Sequence, residues 1–263
     1  MDDPAPGRSP GGHEFHELGA PSAPPHRVLL KLSGGFLGDG EHVLVRDRLD
    51  FIAQQLRPLL DAHIGVGIVT GGGNILRGAV NTALGMPRTT LDRMGMVATL
   101  LNGVALAETL TAAGIPSMSF SAFPVGLEGI QPFSIAAATA LLADGGVPVF
   151  TGGTGLPYFS TDTASVVRAL QIGADLMIKG SRVDGIYDRD PERHADAQRF
   201  ERISYQYVLD RGLAVMDQAA FAMARQNRLP LVVLNIGTPG ILGALLAGTA
   251  RCTRVIPEQE GEP

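Results

Sequence analysis

Cysteine is nearly absent: Cys252 is the only one in 263 residues. That excludes an internal disulfide and any cysteine-rich metal site, and it fits a reducing compartment. His13, His16, His26, His42, His63 and His194 show no close metal-ligand spacing and avoid the glycine-rich loops, so a zinc site and a histidine nucleophile are both poorly supported. A strong charge of one sign is missing too. With 21 Lys and Arg against 26 Asp and Glu, the formal net charge is −5, and no basic block follows the spacing of a phosphate backbone. This argues against nucleic acid as a partner and for a small ligand. No run reaches the roughly 18 consecutive apolar residues of a membrane span. The opening "MDDPAPGRSPGG" has neither the basic start nor the apolar core of a signal peptide, so a cytoplasmic protein without membrane contact is expected. Two nucleotide-binding fingerprints are also lacking. No G-x-x-x-x-G-K-[ST] loop occurs, and the first strand does not run into G-x-G-x-x-G.

What is present is a 45% hydrophobic chain able to supply a large core. Residues 1–26 are rich in Pro, Gly, Ser and His and are expected to be a disordered tail, because such a composition buries too little to offset ordering entropy. A single domain over 27–257 should follow. Periodicity predicts strands over 27–34, 64–70, 115–121, 147–155, 175–180 and 229–236. It predicts helices over 44–63, 93–114, 134–146, 161–174, 204–212, 216–228 and 240–248. Strands alternating with helices imply an α/β class fold, a three-layer α/β/α sandwich on a mainly parallel sheet, with ligands at the carboxyl ends of the strands.

Four polar, glycine-rich stretches fall at those strand ends: "KLSGG", "TGGGNILRG", "TGGTGLPYFSTDT" and "KGSRVDGIYDRDP". Gly71, Gly72 and Gly73 are expected to take left-handed backbone angles and let amide groups approach an anion, with Arg77 neutralising phosphate charge. A tight strand-helix turn with a solvated arginine would explain the triplet by itself, but three companion loops favour phosphate. Gly152, Gly153 and Gly155 lead into "STDT", where Thr161 could cap a helix whose amides hold another phosphate. Asp162 could merely complement the helix dipole. Beside bound phosphate it would instead pair with Lys31 or a magnesium ion. Lys31 ends an apolar strand, where a lysine is costly to bury without an anion. It is read as a charge aimed at a transferring phosphoryl group.

These segments resemble one family. Lys31 in "LLKLSGG", then "GGGNILRG", "LDRMGMVATLLNGVAL", "GGTGLPYFSTDTA" and "VDGIYDRDP" followed by "YQYVLDRGLAVMDQAAFAMARQNRLPLVVLN" look like the bacterial type of uridylate kinase within the amino acid kinase superfamily. The resemblance implies magnesium-assisted transfer of the ATP γ-phosphoryl group to UMP, giving UDP and ADP in pyrimidine nucleotide biosynthesis. It also implies a homohexamer built from dimers. On that pattern Lys31, Arg77 and Asp162 are catalytic. Gly72, Asp92, Thr154, Gly155 and Thr161 bind UMP, Asp92 on the ribose hydroxyls. Lys31, Ser33, Gly34, Gly73, Arg77, Ser181, Tyr187 and Asp190 serve ATP, and no residue is assigned as a metal ligand. An acceptor half of about 27–162 and an ATP half of about 163–257 follow.

The pattern departs from the family in several places, two of them marked; Thr151 with Gly152-Gly153 and a longer N-terminal tail are milder changes. Gly35 and Phe36 stand where an acidic residue and an alanine are usual, and the stretch from Gly129 to Phe150 holds no basic residue. Family members carry arginines there for subunit contact and GTP activation, so a weak or absent GTP response is expected. Two alternatives remain: a superfamily kinase with another acceptor, such as an amino acid carboxylate, and a nucleotide-binding or oxyanion-binding paralogue with little catalysis.

Overall fold

A computed structural model describes residues 24–76, 84–213 and 215–257. Nearly all of the expected tail and Arg77 lie outside the described residues. In chain order the elements are β1 (Arg27–Leu32), α1 (Gly34–Leu37), α2 (Arg46–Asp61), β2 (Gly65–Thr70) and α3 (Arg88–Ala112). Next come β3 (Ser117–Ser121), β4 (Ile130–Pro132), α4 (Ile135–Ala143), β5 (Val147–Thr151), α5 (Thr161–Gln171) and β6 (Leu176–Ser181). The chain then forms β7 (Arg202–Ser204), α6 (Tyr205–Arg211), α7 (Gln218–Gln226), β8 (Leu231–Asn235), α8 (Ile241–Leu246) and β9 (Cys252–Ile256).

Among the described residues the strands form one sheet in the order β4-β3-β5-β2-β1-β6-β8-β9-β7. All pairings are parallel except β8 with β9. Helices cover both faces, which is why the central strands read as near-continuous apolar runs. On one face Val28, Leu30 and Leu32 of β1 pack with Leu56 and Leu59 of α2, Leu106 and Leu110 of α3, and Leu242 of α8. On the other, Leu29 joins Ala138 of α4, Val166 and Ala169 of α5, Val208 of α6 and Phe221 of α7. The three-layer sandwich expected from the sequence is borne out.

The alternation that sorts β1 between the two layers also aims its one charge. Lys31 shares parity with Leu29, so its side chain faces the α5 layer. Lys179 shares parity with Met177 on β6, and the two lysines are register partners across the β1–β6 ladder. Like charges directly opposite repel. The fold therefore needs an anion between them.

Four elements escape the sequence periodicity. α1 is one helical turn, and β4 and β7 have three residues each, too short to show a period. β9 follows the last expected helix and closes the sheet by the antiparallel pairing with β8. α3 begins at Arg88 rather than near 93, because "RTTLD" has only Leu91 to start an apolar stripe. α3 is long and apolar enough to cross a membrane by length and composition alone, yet it packs on β3 and β5 with Leu91, Leu100, Leu106 and Leu110 buried.

Gly103 lets α3 lie on the sheet. A Cβ built there would sit 2.1 Å from Thr151 Cγ2. Gly103→Ala should lower unfolding free energy by about 1–3 kcal/mol, the usual cost of overpacking, as read by chemical denaturation. A neutral result would mean that α3 shifts freely on the sheet.

Candidate active site

The centre is a three-member ion array at the carboxyl edge of the sheet. α5 lies across β1, β2 and β6, which brings its first turn to the paired lysines. Lys31 Nζ is 2.7 Å from Asp162 Oδ1, and Lys179 Nζ is 2.6 Å from Asp162 Oδ2. Lys31 and Lys179 are only 6% and 7% exposed. Burial alone would raise the Asp162 carboxyl, but the two ammonium groups outweigh it and hold the group below the usual carboxylate range. Burial, and then the charge of Lys31, pushes Lys179 down to about 8, with Asp162 and Asp217 offsetting only part.

Lys179 and Asp217 were not singled out from the sequence. "DLMIKG" reads as an ordinary strand, and only the register reveals that its lysine faces Lys31. Asp217 accepts hydrogen bonds from Thr163 Oγ1 at 2.9 Å and from the Ser160 hydroxyl, and caps α7 through the Ala220 amide at 2.9 Å. It thereby ties the start of α5 to α7. The cap of α5 is Ser160, not Thr161: Ser160 Oγ accepts from the amides of Asp162 and Thr163 at 2.9 and 3.2 Å. The serine hydroxyl stands one residue earlier, where the backbone is still extended, and this is the geometry an N-cap requires. Thr161 is freed to line a cleft.

The first glycine loop obeys a different rule from the one expected. None of Gly71, Gly72 and Gly73 has a positive φ. Gly71 and Gly72 are needed for close approach: a Cβ on Gly72 would lie 2.9 Å from both Ala98 Cβ and the Gly95 carbonyl, and one on Gly71 would lie 3.1 Å from the Gly34 amide nitrogen. Gly34 is equally constrained, its Cβ position being 2.5 Å from the Gly71 carbonyl. A Cβ on Gly73 would meet nothing within 4 Å. Asn102 fixes this turn from α3, donating to the Gly71 carbonyl at 2.6 Å and to Asn74 Oδ1 at 2.8 Å. The second loop does use left-handed glycines, with φ of 74° at Gly152, 59° at Gly153 and 81° at Gly155.

Two clefts flank the lysines. One, about 160 Å³, is lined by Gly72, Gly73, Asp92, Gly153, Phe159 and Thr161 among others, over the ends of β2 and β5. Asp92 sits inside α3 beyond its first turn. Its Oδ1 pairs with Arg88 Nε at 2.8 Å, and its Oδ2 accepts the Tyr158 amide at 2.8 Å. Thr154 and Gly155 shape the loop above. The Thr154 hydroxyl bonds both the carbonyl and the amide of Leu156 at 3.2 Å. The second cleft, about 440 Å³, lies over β6 and β8 and includes Arg182, Asp184, Tyr187, Asn235, Thr238 and Arg251. Tyr187 donates its hydroxyl to Asp184 Oδ1 at 2.5 Å, and Arg251 pairs with Asp184. The bond to Asp184 raises the tyrosine pKa. Ser181 ends β6 at the rim, and Ser33 caps the turn after β1 without a side-chain bond. Asp190 does not line the second cleft. It accepts the Glu192 amide at 2.9 Å and pairs with Arg193 at 3.4 Å, while its neighbours Pro191 and Glu192 form the wall. The strand order puts β1, with Lys31, between the two clefts.

An ion array between two clefts, with bare backbone approaching it, can stabilise charge on a group in transfer. The chain belongs to the amino acid kinase family, whose model matches residues 26–235, and it is a kinase. Within that family it is similar to uridylate kinases. It is 45% identical over 233 residues to the uridylate kinase of Brucella anthropi, covering 87% of this chain and 95% of that protein. Identity to the uridylate kinase of Brucella abortus biovar 1 is 46%, with the same coverage. The solved UMP kinase of Bacillus anthracis superposes with a TM-score of 0.85 at 32% identity, over 90% of this chain and 98% of that one. That of Ureaplasma parvum gives 0.83 at 31%, over 89% and 100%.

The depressed Lys179 has a definite pH signature. In an unfolded chain the ammonium titrates near 10.4, so between about 8 and that value the unfolded state binds more protons. The lysine's contribution to stability therefore rises with pH across the window. A role that needs the ammonium is lost over the same range. The kcat/KM, which reports the free enzyme, should fall above about pH 8, and Lys179→Arg, which stays charged, should remove that alkaline limb. An unchanged limb in the arginine variant would assign the titration elsewhere.

Proposed function

We propose that the protein transfers the γ-phosphoryl group of ATP to UMP, giving UDP and ADP. The observation that carries this reading is the pair of buried lysines sharing Asp162 between two clefts. Phosphoryl transfer needs positioning and stabilisation of equatorial oxygen charge more than covalent help. Lys31 and Lys179 supply the charge, and Asp162 holds both ammonium groups on one side of the path. The acceptor is a phosphate oxygen, already deprotonated at neutral pH, so no general base is required. UMP occupies the smaller cleft, its ribose hydroxyls on Asp92 and its phosphate by Gly72, Thr161 and the second glycine loop. ATP occupies the larger cleft beside Tyr187, Ser181 and the Asp190 turn, with Ser33, Gly34 and Gly73 near its phosphates and Arg77 assisting them.

Magnesium would arrive with ATP. Both Asp162 oxygens are engaged by lysines, and the described residues contain no group of three or more His, Cys, Asp or Glu that could hold a metal. The described residues therefore offer the ion no cage. The nucleotide's own phosphate oxygens and water would hold it, as suits an ion that dehydrates reluctantly, and it would supply further charge neutralisation there. A small carboxylate acceptor gives no reason for the Asp92 arrangement, and the charged members of the centre are all present, which disfavours a non-catalytic paralogue.

Self-association is part of the proposal. Val97, Leu101 and Val104 form an exposed stripe on α3, at 52%, 58% and 40% exposure, with the spacing of one helix face. A dimer through this stripe, and a hexamer of such dimers, in the cytoplasm would account for it. Leu101→Glu should reduce the mass measured by light scattering; an unchanged mass would place the contact elsewhere.

A coupled assay with ATP and magnesium should show turnover on UMP and little on CMP, dCMP, aspartate or acetylglutamate. Lys31→Ala should lower kcat at least about 10²-fold, the scale set by removing one charge-stabilising group. Added GTP should leave the rate essentially unchanged. Turnover on an amino acid, or none on any acceptor, would replace this reading.

A further inference from the structure

The second glycine loop poses a mechanical problem. Gly152 and Gly153 are consecutive left-handed residues and Gly155 is a third, so this stretch has little intrinsic preference for its shape and loses much backbone freedom when fixed. Something outside it must hold it. From one layer Thr99 of α3 does so, its hydroxyl accepting the Gly152 amide at 2.7 Å. From the opposite layer comes Arg168, in the last turn of α5.

Arg168 is unusual for an arginine. It is 5% exposed, and among the described residues no carboxylate pairs with it. Nη1 donates to Gln171 Oε1 at 2.6 Å, Nη2 points to the Gly153 carbonyl at 3.4 Å, and the guanidinium carbon lies 3.8 Å from the centre of the Phe133 ring. Phe133 is itself anchored edge-on to Phe150, the β5 residue just before Thr151 and the glycines. Burial pushes the guanidinium pKa down to about 10, with no opposing charge. Complementing the helix dipole would not require burying the group. A desolvated cation without an acid beside it acts on dipoles and on whatever anion occupies the cleft beyond.

We infer that Arg168 is the positioning residue of the second glycine loop, a buried cation that holds the Gly153 carbonyl from behind and keeps the loop shaped for the anionic group of the acceptor. The inference rests on the assignment of the smaller cleft to the acceptor, since Gly153 lines that cleft. Arg168 does not touch the substrate. Its effect passes through one peptide group and should fall on acceptor binding, while the lysine centre and the donor cleft keep their geometry.

The test is the kinetic split in Arg168→Met, which keeps bulk and loses charge. The expected result is an acceptor KM raised about tenfold, with kcat and the ATP KM changed less than about twofold. Phe133→Leu removes the ring alone and should raise the acceptor KM about threefold, and Arg168→Lys should fall between wild type and Met. An unchanged acceptor KM in a folded Met variant would reduce Arg168 to a structural role. A parallel loss in both KM values and kcat would also overturn the inference. If the Met variant does not fold, the Phe133→Leu and Arg168→Lys values decide by the same criterion. Failure of the underlying reading shows separately, in wild-type protein. Turnover on an acceptor other than UMP overturns the UMP assignment, and the same comparison on that acceptor still decides the role of Arg168.

Discussion

The structure depends on one carboxylate. Register pairing sets Lys31 against Lys179 on a buried sheet face, an arrangement that could not persist without an anion between them. Asp162 supplies it from the first turn of α5. Much else in the site follows from putting that residue there. Ser160 caps the helix, Asp217 fixes the Ser160 and Thr163 hydroxyls, and Arg168, two turns on, steadies the loop by which the chain arrives. The reactive centre is thus a property of three packed elements, β1, β6 and α5, rather than of any flexible segment.

Such an array is also a source of stored electrostatic bias. Two ammonium groups share the Asp162 carboxylate in a nearly dry setting, with Asp217 a further anion acting on Lys179, so the charges are fixed in place before any ligand is present. Preorganisation of this kind requires no rearrangement when charge develops on a transferring group. The neighbouring glycines serve it by two separate means: Gly34, Gly71 and Gly72 by letting backbones nearly touch, and Gly152, Gly153 and Gly155 by adopting angles other residues avoid.

The layered fold was legible because each central strand and its helix carry their own period, and the strand ends carry the glycines. Lys31, Gly72, Asp92, Thr161 and Asp162 could be singled out because charge or glycine stood at a strand end or in a specific motif, and the structure brings them together around adjoining space. Lys179 was hidden because a lysine closing an apolar strand gives no sign of which neighbouring strand it faces. Asp217, Asn102 and Arg168 were hidden for a related reason. Their importance comes from contacts 31 to 57 positions away along the chain, or from burial, and local pattern encodes neither. The error at Gly71 to Gly73 has the same origin: composition announces a special backbone, and only packing says whether angle or clearance is the reason.

Asp92 gives one wall of the smaller cleft spare capacity to accept hydrogen bonds. Each of its oxygens already takes one donor, from Arg88 or from the amide of Tyr158, a residue held at a φ of 71°. A carboxylate offers about four lone-pair sites, so Asp92, which lines the cleft, can still accept further hydrogen bonds. A ligand rich in hydroxyl groups satisfies them. One that presents only its own negative oxygen has no hydrogen to give, and gains nothing from this wall of the cleft.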